Sequence, residues 1–426
     1  MSNQINSTLG DLVKAGGGII HTGPFGSQLH AEDYVAQGIP CIMPANMRDN
    51  RVDLSNISFI SDEDAQRLSK YLVKEGDIVY SRRGNVTLKA LIRKNEAGYF
   101  CGTGCLLLRP GNLLDSDYLT YYLSTPKIQS WIISQAIGAT MPNLNTGILS
   151  RIPFSGPEKS VQKKISSALR AIDDKLEINN RINAELEAMA KTLYDYWFVQ
   201  FDFPDANGKP YKTSGGKMEY NTTLKREIPA GWASGTLEDL GQIVGGSTPT
   251  TSRPENFTTN GTPWITPNDL SDNQNNKFIS RGAQDVSVEG IKSASLKTYP
   301  AGTVLLSSRA PIGYMAIARN ELTTNQGFKS FIPSKNYSTE YVYYAVKNSL
   351  PVIMQNASGS TFKEVSGAVL KSIEVMLPAF SIADNFTKTV AEIFSRQDKL
   401  EQENQQLTAL RDWLLPLLMN GQIMVK

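Results

Sequence analysis

Cysteine is nearly missing from this chain, with three residues in 426, and Cys41, Cys101 and Cys105 all lie in the first third. An odd number so placed argues against a disulfide framework and for a reducing compartment. Histidine is scarcer still, at two residues. Cys101 and Cys105 with His21 and His30 are the one set able in principle to ligate a metal, but their spacing is not a zinc pattern and the second half holds nothing equivalent, so no metal is expected. There is no run of 18 apolar residues, and the opening Met1-Ser-Asn-Gln-Ile-Asn-Ser has neither the basic start nor the apolar core of a signal peptide. A soluble, cytoplasmic protein without a membrane span is expected.

An excess of either charge is lacking too. The 43 basic residues face 41 acidic ones. Residues 1–157 carry 14 against 13 and residues 231–378 carry 12 against 11, so the balance holds locally. Nucleic acid would have to be bound by individually placed Arg and Lys, or with a basic partner supplying much of the phosphate contact. Catalytic signatures are missing as well. The chain has no Asn-Pro-Pro-aromatic element of an adenine methyltransferase and no phosphate loop, since Gly215-Gly216-Lys217-Met218 fails that pattern at both ends. Gly16-Gly17-Gly18 and Gly245-Gly246-Ser247 read as turns, and Asp173-Asp174-Lys175 as a solvated helix face rather than a nuclease metal site. A self-sufficient nuclease or methyltransferase is thereby disfavoured, and no catalytic or cofactor-binding residue is assigned.

What is present is a repeat. From Pro157 to Phe198 the chain reads as one long helix, with Leu169, Ile172, Leu176, Leu186, Leu193 and Trp197 on a seven-residue seam that Asn179, Asn183 and Ala190 complete. A second version opens at Pro378 and places Phe386, Ile393, Leu400, Leu407 and Leu414 seven apart, with Val390, Gln397, Asn404 and Arg411 between them. The tetrapeptide Asp-Lys-Leu-Glu occurs in both, at 174–177 and 398–401. Helices of about 40 residues are roughly 60 Å long and suit a spacer. Buried Asn costs stability and serves best as a register device.

The parts ahead of the helices match as well, at a shift of about 221 to 228 residues. Gly38-Ile39-Pro40-Cys41-Ile42-Met43-Pro44 corresponds to Gly261-Thr262-Pro263-Trp264-Ile265-Thr266-Pro267, and Gly76-Asp77-Ile78-Val79-Tyr80-Ser81-Arg82-Arg83 to Gly302-Thr303-Val304-Leu305-Leu306-Ser307-Ser308-Arg309. Asp117-Tyr118-Leu119-Thr120-Tyr121-Tyr122 corresponds to Glu340-Tyr341-Val342-Tyr343-Tyr344-Ala345, read as a short helix whose tyrosines belong to the core. The expected fold is α+β: a tandem duplication of a mixed α/β domain followed by a long helix, the two helices pairing as an antiparallel coiled coil. The expected divisions are 1–157, a central helix 158–200, a linker 201–230, a second domain 231–378, and a C-terminal helix and tail 379–426. Antiparallel pairing would set the two domains at opposite ends about a pseudo-twofold axis, a geometry that suits duplex DNA.

Scaffold positions agree between the halves while the turns differ, so two copies of one reader would read different things. The first candidates for DNA contact are the loops after the Arg-bearing strands, with Ser81, Arg82, Arg83 and Asn85 in the first domain and Ser307, Ser308 and Arg309 in the second. Ser27 in Gly23-Pro24-Phe25-Gly26-Ser27 and Thr248 in Gly246-Ser247-Thr248-Pro249 come next. Thr140, Asn143, Thr361 and Lys363 in the later polar loops are third.

With these residues in view, the whole chain resembles the specificity subunit of type I restriction-modification enzymes. The stretches that carry the resemblance are Tyr194-Asp195-Tyr196-Trp197-Phe198-Val199-Gln200-Phe201-Asp202-Phe203-Pro204, Arg226-Glu227-Ile228-Pro229-Ala230-Gly231-Trp232, and Leu414-Leu415-Pro416-Leu417-Leu418-Met419-Asn420-Gly421. The resemblance implies that each globular domain is a target-recognition domain reading one half of a bipartite, asymmetric sequence in double-stranded DNA, with the helices as a fixed spacer. It implies as partners two methyltransferase subunits carrying S-adenosylmethionine, and up to two ATP-dependent restriction subunits, with no cofactor in this chain. The alternative is a coiled-coil scaffold whose two domains bind proteins rather than DNA.

Overall fold

A computed structural model describes residues 4–136, 142–334, 336–359, 363–423 and 425. The chain forms two compact units, Met1–Glu177 with Gln406–Lys426, and Ile178–Gln405. Each unit joins one globular domain to a segment of both long helices.

In the first domain Ile5–Thr8 pairs antiparallel with Pro153–Gly156, closing the domain just ahead of the helix. One four-stranded sheet runs Ile19–Thr22, Cys105–Arg109, Ile78–Ser81, Lys89–Leu91, and a second runs Tyr34–Val35, Ser58–Ile60, Ile39–Ile42, Phe100–Cys101. The second domain repeats this order. Ala233–Thr236 pairs with Glu374–Leu377, one sheet runs Gly241–Gly245, Lys329–Pro333, Val304–Leu306, Met315–Ala318 and gains Phe278–Ile279 at its edge, and the other runs Phe257–Thr258, Gln284–Val286, Thr262–Ile265, Thr323–Thr324. The expected duplication is therefore present in the order of both four-stranded sheets and of the closing strand pair, while among the described residues Phe278–Ile279 in the second domain and the pair Met47–Arg48 with Arg51–Val52 in the first have no counterpart. The strands that run into the Arg-bearing turns sit inside their sheets because large apolar side chains fill both faces: all four residues of Ile78–Ser81 and all three of Val304–Leu306 are buried.

The paired tyrosines are core, as expected. Tyr118, Tyr121 and Tyr122 lie in the helix Ser116–Ser124, which Asp115 caps by accepting from the Tyr118 N–H at 2.9 Å. Their counterparts Tyr341, Tyr343 and Tyr344 lie in Thr339–Gln355, a longer helix than the sequence reading proposed. In the first domain Pro126 opens a new helix, Pro126–Gln135, whereas in the second the helix continues through Pro351.

The long helices are Lys159–Tyr194, extended by a π-helical turn over Asp195–Val199, and Phe380–Met419. Each starts two residues after its proline. Within Ile178–Gln405 they run antiparallel: Asn179 Nδ2 donates to Glu403 Oε2 at 2.8 Å and to Asn404 Oδ1 at 2.9 Å, Gln397 Nε2 reaches Asn183 O at 3.4 Å, and Tyr194 and Trp197 pack on Phe386. The same sense holds within the other unit, where Arg411 Nη1 pairs with Asp173 at 3.2 Å and Leu418 joins Ile165 and Leu169 in one cluster. Asn179 and Gln397 are buried in the seam, so the polar interruptions face the partner helix as the heptad reading required.

The recurring tetrapeptide has a definite task. Arg319, two positions beyond Ile317, pairs with both Asp398 and Glu401 Oε2, the latter at 3.0 Å, and Arg51 likewise pairs with Asp174 at 3.3 Å and Glu177 at 3.0 Å. In each unit the motif is the helix's grip on an arginine of its own domain. Asp173 also accepts from Tyr121 OH at 2.5 Å. The Asp173-Asp174 face is thus a packing surface, which corrects the reading of it as merely solvated.

Around the second grip lies a buried cluster invisible in the sequence. The Lys277 side chain is 3% exposed, and its Nζ contacts Glu187 Oε2 at 2.6 Å, Gln397 Oε1 at 2.6 Å and Tyr344 OH at 3.1 Å, over the Phe394 ring. Burial draws the Lys277 ammonium down to about 8 despite Glu187, so it stays mostly charged at neutral pH. Burial would push the Glu187 carboxyl up, but Lys277 and Lys347 more than reverse this and hold it at about 2.

Candidate nucleic-acid interface

In each domain the three candidate loops converge, and the same backbone bonds hold them. Arg82 N–H donates to Gly104 O at 2.8 Å in the first, and Ser308 N–H to Gly327 O at 2.7 Å in the second. Leu144 N–H donates to Arg82 O at 2.8 Å, and Val365 N–H to Ser308 O at 2.9 Å. The first pair of bonds ties the loop after the Arg-bearing strand to the turn ahead of the neighbouring strand, and the second pair ties it to the loop ahead of the last strand. They set Arg83 opposite Asn143 and Arg309 opposite Glu364. The early polar loop joins through a glycine. A Cβ on Gly23 would lie 2.2 Å from Gly102 O and one on Gly246 2.1 Å from Thr324 O, so no side chain fits at either position.

The side chains divide into those that build the loops and those that face outward. Ser81, Ser307 and Ser308 are fully buried. Their hydroxyls donate to Arg83 O at 2.9 Å, Pro311 O at 2.7 Å and Gly327 O at 3.1 Å. They shape the turns and do not face a ligand, because each is wholly buried and spends its proton on a backbone carbonyl. Asn85 is exposed but caps its own turn, accepting from Thr87 N–H at 3.1 Å. Arg83, Ser27 and Lys363 are exposed, Thr248 and Asn143 half-buried, and Thr248 is hydrogen-bonded to Gln326. Thr140 and Thr361 fall outside the described residues.

Arg82 is half-buried with its guanidinium 5.7 Å from the ring centre of Phe25, itself 54% exposed. Arg309 Nε meets Glu364 Oε2 at 3.1 Å, with both side chains open to solvent. Lys329 completes this corner of the second domain. Burial lowers its ammonium's pKa, Glu364 pulling it up and Arg309 down. The sequence reading named the loop that holds Phe25 but singled out Ser27 within it, and it did not select Gln326, Lys329 or Glu364. An acid such as Glu364 in a DNA-facing loop carries no signal until its arginine partner is placed beside it. Among the described residues no three His, Cys, Asp or Glu side chains are grouped to hold a metal, and no helix is long and apolar enough to cross a membrane.

Comparison with known proteins agrees with this layout. The model of the type I restriction modification DNA specificity domain matches twice, over residues 4–188 and 229–410. The type I restriction enzyme HindI specificity subunit of Haemophilus influenzae is 28% identical, the match covering 90% of this chain and 94% of that one. The MjaIX specificity subunit of Methanocaldococcus jannaschii is 42% identical over 165 residues, 38% of each chain. The crystal structure of the type I restriction-modification S subunit from M. genitalium superposes with a TM-score of 0.61 at 17% identity, over 98% of this chain and 96% of that one, and so shares the fold.

Proposed function

That the chain belongs to the type I restriction-modification DNA specificity family is the premise from which we propose how its parts work. It is a specificity subunit, non-catalytic, that recognises a DNA target and assembles a restriction-modification complex. Each domain reads one half of a bipartite, asymmetric duplex sequence through its converged loops. Phe25, Ser27, Arg82, Arg83 and Asn143 serve one half-site, and Thr248, Arg309, Lys363 and Glu364 the other. One observation supports this most. The same hydrogen bonds join the same loops in both domains, yet the outward side chains differ. A protein-binding scaffold does not need a conserved frame with exchanged contact residues on two copies, whereas a two-part reader does.

The chain's sequence carries no methyl-transfer or ATP motif, so the chemistry falls to partners. We assign it two methyltransferase subunits carrying S-adenosylmethionine, and ATP-dependent restriction subunits alongside. Trp413, 62% exposed on the C-terminal helix with Leu410 one turn before it, is the side chain best suited to meet a methyltransferase subunit, because a large aromatic left in water is most useful at an interface. The test is to co-express the chain with its methyltransferase and map methylated adenines across a genome. A split motif with adenines on opposite strands is expected, and replacing residues 231–378 by another second domain should change one half of it only. Retention of duplex DNA that falls with salt but shows no sequence preference would refute the reading.

A further inference from the structure

The Arg309–Glu364 pair contributes little to the fold. Both side chains are more than a third exposed, and such a pair adds little to stability. Its orientation is nevertheless fixed from three sides. Glu364 is bonded to Ser358 through both backbone groups, at 2.8 and 3.0 Å, Val365 N–H holds Ser308 O, and Arg309 and Glu364 face each other across that ladder. An acid at this place is costly near phosphates unless it meets a hydrogen-bond donor. Glu364 meets Arg309 as an ion pair, Oε2 to Nε at 3.1 Å, and among the described residues no hydrogen bond engages its Oε1 or either Nη group of Arg309.

Resting on the reading of the second domain as a DNA reader, we propose that Arg309 and Glu364 together read one G·C base pair of the second half-site from the major groove. The two free Nη groups match the O6 and N7 acceptors of guanine, while the free carboxylate oxygen accepts from the N4 amino group of the paired cytosine. The ion pair keeps the two side chains adjacent, so that together they address both strands of one base pair. A·T offers the wrong order, with an amino group where Arg needs O6 and a carbonyl facing the carboxylate. Lys329 brings a positive charge close enough to Glu364 to offset its repulsion of nearby phosphates. In the first domain the matching pair is Arg83 and Asn143, an amide in place of the carboxylate, so the equivalent position there accepts a different base.

The test uses the full chain in complex with its methyltransferase, selecting duplexes from a library randomised across the target. Wild type should return G·C at one fixed position of the second half-site. Arg309→Ala should lower affinity for that sequence roughly 5- to 100-fold and flatten preference at that position alone. Arg309→Lys, which keeps the charge and loses the fork, should flatten it equally. Glu364→Gln should admit a base other than cytosine opposite. A uniform loss across all sequences on Arg309→Ala, rescued by Arg309→Lys, would make Arg309 a phosphate contact and overturn the proposal. So would flattening at an A·T position, or no change with either variant. If wild type itself selects no sequence, the reading of the domain as a DNA reader fails first, an outcome distinct from these.

Discussion

Glu401→Gln tests the idea that the repeated Asp-Lys-Leu-Glu motif fastens each domain to its helices. Glu401 is 1% exposed, and its carboxylate takes the Lys277 N–H at 2.7 Å, the Phe278 N–H at 3.0 Å and Arg319 Nη2 at 3.0 Å. An amide of the same shape can serve only one of these sides, since its NH2 must then point at a donor. At least one buried backbone N–H is orphaned, costing about 1–3 kcal/mol. Arg319 also loses a charged partner but keeps Asp398, so the change falls at the lower end of the ~3–5 kcal/mol for breaking a buried pair. A total of about 3 kcal/mol should lower the melting temperature of the unit Ile178–Gln405 by roughly 6–12 °C. The same substitution at the matching place in the first motif, Glu177→Gln, meets a side chain that is 67% exposed and, among the described residues, ion-paired with Arg51 alone, and should cost less than about 1 kcal/mol. Calorimetry of the full chain gives both shifts, and hydrogen exchange at the Lys277 and Phe278 amides shows whether the named bonds are the ones lost. Equal shifts for the two variants, or unchanged protection of those amides in Glu401→Gln, would refute the argument.

Acid should weaken the second unit through Glu187. Its carboxyl is held at about 2 in the fold against an ordinary 4.5, so the stability it supplies is complete above pH 4.5 and is lost as pH falls toward 2; urea midpoints across that range should fall less steeply in Glu187→Gln than in wild type. Ser307→Ala leaves Tyr314 N–H without its 2.9 Å acceptor, which should cost about 1–3 kcal/mol and weaken DNA binding equally for all sequences, whereas a change in base preference would return Ser307 to the reading surface. Phe25→Ala should relax selectivity in the first half-site and leave the second untouched, as read by library selection. Trp413→Ala should change thermal stability by less than about 0.5 kcal/mol yet weaken copurification with the methyltransferase; undiminished copurification removes Trp413 from that contact.

The amino-acid sequence by itself determined the duplication, the order of domain and helix, the buried tyrosines and the loops that hold the candidate site. These rest on periodicity and local residue choice: a seven-residue seam, β-branched strands ending in polar turns, and equal spacing in two copies. It also placed Arg309 correctly on an exposed loop. Tertiary structure alone decided which polar side chains are free to act. Ser81, Ser307 and Ser308 share the polar composition of a contact loop, but their hydroxyls close onto carbonyls two to 19 residues away. Glu364 reads as an ordinary turn residue until the backbone ladder sets it against Arg309, 55 positions earlier in the chain. Lys277 looks like a surface lysine among asparagines, and it is buried because Glu187, Gln397 and Tyr344, from three distant segments, supply the partners that an ammonium needs out of water. A side chain's exposure and charge depend on partners remote in sequence, and local pattern has no term for them.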